Sequence, residues 1–103
     1  MKKSGKPKSF QGIEAILQSH KSELQQKFGV TTIGVFGSYV KHNPKKSSDI
    51  DILIEFKGRM GFVKFMKLEK YLAELLGAKV DLVTKDALKP FIGQHILSEV
   101  RYV

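Results

Sequence analysis

The sequence predicts an α/β fold of the α+β kind, with helices layered on a small three-stranded sheet in the order αβ(α)βαβα. Two stretches of helical apolar spacing alternate with short β-branched runs. A helical crossover joins the second and third of those runs, as parallel neighbours require. The length of 103 residues, 42% hydrophobic and 27% charged, suits one domain with one modest core.

Residues 1–10 are expected to be a basic, flexible tail, and 11–103 a single domain. Ile13, Ile16, Leu17, Leu24 and Phe28 recur at helical spacing, Lys27 sits in the last turn and Gly29 is placed to stop it. These mark a helix over 11–28, with a break at Ser19-His20 left open. Val30 to Phe36 is β-branched and apolar, a strand. Gly37-Ser38 interrupts it, and Asn43-Pro44 with Lys45, Lys46, Ser47 and Ser48 is turn chemistry. Ile50 to Phe56 is the second strand. Ile50, Ile52, Ile54 and Phe56 take one face; Asp51, Leu53 and Glu55 take the other. Lys57-Gly58-Arg59 ends it. Phe62, Phe65, Leu68, Leu72, Leu75 and Leu76 make an amphipathic helix closed by Gly77. Lys79 to Thr84 is the third strand. Pro90 suits the first turn of a last helix carrying Ile92, Ile96 and Val100.

Composition excludes several chemistries. With no Cys there is no disulfide framework, thiol nucleophile or thiolate metal site. His20, His42 and His95 match no zinc spacing. Met1-Lys2-Lys3 is followed by polar residues where a signal peptide needs an apolar run, and no window reaches membrane-spanning length. A soluble, cytoplasmic protein is expected. The net charge of +8 is concentrated in Lys2, Lys3, Lys6 and Lys8 of the tail and in Lys41, Lys45 and Lys46 of one loop. Nucleic-acid domains usually spread basic residues along one folded face, so nucleic acid is not the expected substrate. The tail reads as solubilising, or as a foothold on an acidic partner.

Four Asp occur, and three of them lie on or beside predicted strands. Asp49 and Asp51 are two apart, so both project from one face of the second strand. Asp81 stands in Val80-Asp81-Leu82-Val83, and if the second and third strands are adjacent it can stand beside that pair. Crowded carboxylates repel, and a divalent cation relieves them; an all-oxygen donor set favours Mg²⁺ or Mn²⁺. Two such ions would clamp the attacking and leaving oxygens of a phosphoryl-type transfer. Gly37-Ser38, ending the first strand, offers backbone N–H groups and a hydroxyl to a phosphate. Lys41, His42, Lys45 and Lys46 pass the same spot. For this turn and Asp49 to share one triphosphate, the first two strands must run antiparallel, which makes the sheet mixed. Tyr39 beside the turn is a candidate for base stacking or for core packing.

Gly37-Ser38, ten intervening residues, Asp49-Ile50-Asp51 and a third Asp on the next strand resemble the polymerase-beta-like nucleotidyltransferase superfamily. The chain's size and its runs Ser48 to Ile54 and Lys79 to Val83 are similar to that superfamily's minimal nucleotidyltransferase (MNT) domains. The resemblance covers nearly everything from Ile13 onward and implies the nucleotidyltransferase fold. It implies that Asp49 and Asp51 ligate Mg²⁺ and that Asp81 completes the metal triad and helps deprotonate the attacking hydroxyl. Gly37, Ser38 and Lys41 would bind the nucleotide. The implied reaction moves AMP from ATP to a hydroxyl and releases pyrophosphate. Minimal members are often antitoxins of HEPN-type ribonuclease toxins, and some adenylylate a partner tyrosine. One departure stands out: Lys41-His42 occupies the place of the family's Arg-Gly, keeping the charge and losing the planar fork. Two alternatives remain open. One is an antitoxin that occludes its toxin with little turnover. The other is an aminoglycoside-like small-molecule adenylyltransferase, whose acceptor site a homodimer would build.

Overall fold

The computed structural model describes residues 9–41, 49–88 and 90–103, with residues 90–92 described by backbone alone. The Lys-rich stretch of the tail, and His42, Lys45 and Lys46 of the loop, lie outside the described residues. The elements are α1 (Phe10–Ser19), α2 (Lys21–Phe28), β1 (Val30–Phe36), β2 (Ile50–Phe56), α3 (Phe62–Leu76), β3 (Val80–Thr84), α4 (Pro90–Glu99) and β4 (Arg101–Tyr102). Short 3₁₀ turns at Gly37–Tyr39 and Lys85–Ala87 follow β1 and β3.

The first helical stretch is two helices, not one. Ser9 caps α1 by accepting the Gly12 N–H at 3.4 Å, and Phe10 is buried. At the other end the Ser19 hydroxyl donates to the Ile16 carbonyl, and His20 Nδ1 lies 2.9 Å from the same oxygen. Side chains that compete for backbone partners break a helix at such a point. Gly29 then ends α2 at φ 71°, a left-handed conformation that costs glycine nothing.

The sheet has four strands in the order β3-β2-β1-β4, one more than the three expected. Strands β1 and β2 are antiparallel, and β2 and β3 parallel, so the sheet is mixed. The addition is β4, which pairs antiparallel with β1 through Gly34↔Tyr102 and Val35↔Arg101. Helix α4 ends at Glu99, so Val100 belongs to the link into this strand rather than to the helix. The guanidinium of Arg101 lies 4.5 Å from the centroid of the Phe10 ring, tying the last strand to the first helix.

Alternation decides what each face does. Ile33 and Val35 of β1, Ile50, Ile52 and Ile54 of β2, and Val80 and Leu82 of β3 share one core cluster with Ile13, Leu17, Leu24, Leu68, Leu72 and Leu76. The helical stripes of α1, α2 and α3 therefore cover one face of the sheet. Tyr71 of α3 donates its hydroxyl to Glu23 of α2, which also pairs with Lys27 at 2.9 Å. Burial, with the Glu23 carboxylate adding to it, pushes the Tyr71 hydroxyl up to about 12. Gly34, Phe36, Asp51, Leu53, Asp81 and Val83 point the other way by the same two-residue period. Leu53, placed on that face with Asp51 and Glu55, is nonetheless buried.

Candidate active site

Strand register brings the predicted carboxylates together. Asp51 sits directly opposite Asp81 on the parallel neighbour and opposite Phe36 on the antiparallel one. Neighbouring strands run about 5 Å apart, so the two carboxylates are adjacent by construction. Asp49, exposed, immediately precedes β2 on the same face. Burial in the first place, then the charges of Asp81 and Asp49, push the half-buried Asp51 carboxyl up to about 6.

The turn after β1 closes over that pair. Gly37 has φ 82°, and a Cβ placed there would lie 2.1 Å from Oδ2 of Asp51. Only glycine permits both the left-handed backbone and this approach of carboxylate to main chain. The Gly37 carbonyl accepts from the N–H groups of Val40 and Lys41, both at 3.1 Å, which winds the turn tight. Tyr39 is buried in the core, and packing rather than stacking is its place. Among the described residues, neither the N–H nor the hydroxyl of Ser38 has a hydrogen-bond partner. Both donors are left for an anion.

One residue of the site escaped the sequence reading. Glu99, at the end of α4, accepts the Gly37 N–H at 2.9 Å through Oε2. Its Oε1 lies 3.5 Å from Lys41 Nζ and 3.3 Å from His95 Nε2. It is the one acidic residue of the last helix, and no local spacing links it to a turn 62 residues earlier. Lys85, four residues beyond Asp81, pairs with Glu55 at 3.9 Å.

The donor set fits a hard divalent cation: carboxylate oxygens only, crowded enough to raise a pKa. Among the described residues no three acidic or imidazole side chains stand ready to hold a metal by themselves. Mg²⁺ commonly binds one or two protein carboxylates and completes its shell with water and substrate phosphate. A groove of about 750 Å³ runs beside Asp49 and Asp81, lined also by Val63, Met66, Lys67 and Lys70 of α3. Val63 and Met66 of that lining are exposed apolar side chains, as is Phe62 at the start of α3.

Comparisons with known proteins agree with this architecture. A relative from Thermococcus cleftensis, the protein adenylyltransferase MntA, is 50% identical over 92% of this chain and 96% of its own. A toxin–antitoxin crystal structure with AMP-PNP superposes with TM-score 0.69 at 23% identity, over 82% of this chain and 70% of that one. A tri-AMPylated Shewanella oneidensis HEPN toxin in complex with its MNT antitoxin matches with TM-score 0.65 at 21% identity, over 87% and 70% of the two chains. The likeness to those two structures is one of fold. The nucleotidyltransferase domain model matches residues 17–103, from within α1 through β4, and to that family the chain belongs.

Proposed function

We propose that the protein is a metal-dependent adenylyltransferase that moves AMP from ATP to a tyrosine hydroxyl of a HEPN-type toxin, and is the antitoxin of that pair. The observation that carries the reading is the register of Asp51 against Asp81 beneath the Gly37–Ser38 turn. The T. cleftensis relative, a protein adenylyltransferase, supports it. So do the fold's recurrence in a complex with AMP-PNP and in one with an AMPylated HEPN toxin. The reading places the protein in the cytoplasm; among the described residues no helix is long and apolar enough to cross a membrane.

Asp49, Asp51 and Asp81 would hold Mg²⁺ or Mn²⁺, two ions in the full complement. A divalent cation held by these carboxylates would offset the triphosphate charge and polarise the α-phosphate. Ser38 donates its N–H and hydroxyl to the phosphates. Asp81 is exposed at the groove and takes the proton of the acceptor hydroxyl. The oxygen so freed bonds to the α-phosphorus as the bond to the β-phosphate oxygen breaks, and pyrophosphate leaves with that electron pair. Catalysis is then positioning and electrostatics.

Asp81→Asn tests the reading, since it keeps shape while removing a charge and a proton acceptor. Labelled adenylate transfer to the HEPN-type partner should fall about 10²- to 10⁴-fold, the scale of a general base. ATP binding should partly persist through Asp49 and Asp51. Toxin neutralisation, scored in parallel, should be lost together with labelling. A variant that neutralises as well as the wild type without labelling would show protection by occlusion.

A further inference from the structure

We propose that Glu99 is the positioning residue of the nucleotide-binding turn, and that Lys41 acts through Glu99 rather than on phosphate. The inference rests on the reading of Gly37–Ser38 as the nucleotide turn. Its ground is that one carboxylate engages both ends of that turn, Gly37 through Oε2 and Lys41 through Oε1. The Gly37 carbonyl already accepts the Val40 and Lys41 N–H groups, so Glu99 closes a second loop of contacts around the same five residues. The turn that carries the unpartnered Ser38 donors is then held in one shape.

Two features separate a clamp from a competitor for phosphate. The first is burial: the Glu99 side chain is only 15% exposed, whereas that of Lys41 is 57% exposed. A shielded carboxylate that left its partners would forfeit charge-assisted bonds in a poorly solvated place. The second is anchorage. The residues after Glu99 are pinned to β1 through Gly34↔Tyr102 and Val35↔Arg101, and the Val103 N–H donates to the Ile33 carbonyl at 2.9 Å. Strand β1 ends in the turn that Glu99 grips, so strand and clamp are fixed to one another. The lysine in the place of the family's arginine fits this role, because a single carboxylate oxygen needs a point charge and not a bidentate fork.

The test is calorimetric titration of the full chain with ATP and Mg²⁺, using Glu99→Ala, Glu99→Gln, Lys41→Gln and the double variant Glu99→Ala/Lys41→Gln. Thermal melts of each establish folding, and Glu99→Gln covers the case in which Glu99→Ala does not fold. A clamp predicts that Glu99→Ala weakens ATP about tenfold. Glu99→Gln, whose amide oxygen still accepts the Gly37 N–H, should weaken it less. Lys41→Gln should weaken ATP in the wild-type background and add nothing to Glu99→Ala. Tighter ATP binding by Glu99→Ala would make Glu99 a competitor and overturn the proposal. Equal losses from Lys41→Gln in both backgrounds would do the same, by making Lys41 a direct phosphate ligand. Amide exchange at Gly37 in ATP-free protein separates this inference from the nucleotide reading. Exchange at least tenfold faster in either Glu99 variant upholds the clamp even if the wild type binds no ATP. Unchanged exchange in both sinks it.

Discussion

Asp51 carries the electrostatic tension of the site. Its neutral form is favoured by burial and by Asp81 and Asp49, so its carboxyl titrates at about 6 when folded against an ordinary value of 3.8. A folded pKa raised in this way stabilises the protein fully below the unfolded value, and that stabilisation is lost as pH rises through about 6. In EDTA, Asp51→Asn should therefore be more stable than the wild type at pH 8, by about 1 kcal/mol once solvent screening of a half-exposed carboxyl is allowed for. At pH 4 the advantage should vanish; urea melts at the two pH values check it. Asp49 and Asp51 were legible as a pair because a strand's two-residue period sets both on one face. Asp81 was legible because a charge in an otherwise apolar strand has to be explained. Glu99 was not, because its meaning depends on a turn far away in the chain. Lys41 was named for the nucleotide through the family resemblance, and the structure adds its pairing with Glu99, which no sequence spacing announces.

At the scale of elements, β1 is the strand on which the site is hung, flanked by β2 on one side and β4 on the other. Gly34 is where β4 comes closest: a Cβ there would lie 2.7 Å from Cγ2 of Val100 and 3.1 Å from Cδ1 of Tyr102. Gly34→Ala should cost about 1 to 3 kcal/mol by overpacking against a stiff β-branched neighbour. It should also weaken ATP, because the segment it displaces begins at Glu99. Chemical denaturation and ATP titration of this variant read the two effects separately. The long elements announced themselves through periodicity, α3 above all. Strand β4 did not, since Arg101 and Tyr102 are too few to show alternation. The break between α1 and α2 was visible only as Ser19-His20, and its cause is local: two side chains bonded back to Ile16.

For the whole molecule, a radius of gyration of 13.1 Å is that of a single domain of about 100 residues. The described residues share one core cluster, built from the sheet and the helices α1, α2 and α3. Ligand binding should register as global stability. At about 100 times Kd, ATP with Mg²⁺ adds about 2.7 kcal/mol, which is about 10 to 20 °C in Tm for a domain of this size. Without divalent metal the carboxylates repel the triphosphate, and the shift should shrink to a small fraction; differential scanning fluorimetry with and without EDTA measures both. The antiparallel start of the sheet was inferred by asking which strand ends could share one triphosphate, a constraint of chemistry rather than of pattern. The in-register pairing of Asp51 with Asp81 also bears on folding. Asp51 and Asp81 pair across a crossover connection, and the entropy of closing it is spent before their contacts form. The first two strands can pair early and present Gly37 beside Asp51. The third carboxylate and the Glu99 contact come only with the last half of the chain. A refolding chain should thus recover much of its secondary structure before it recovers full ATP binding.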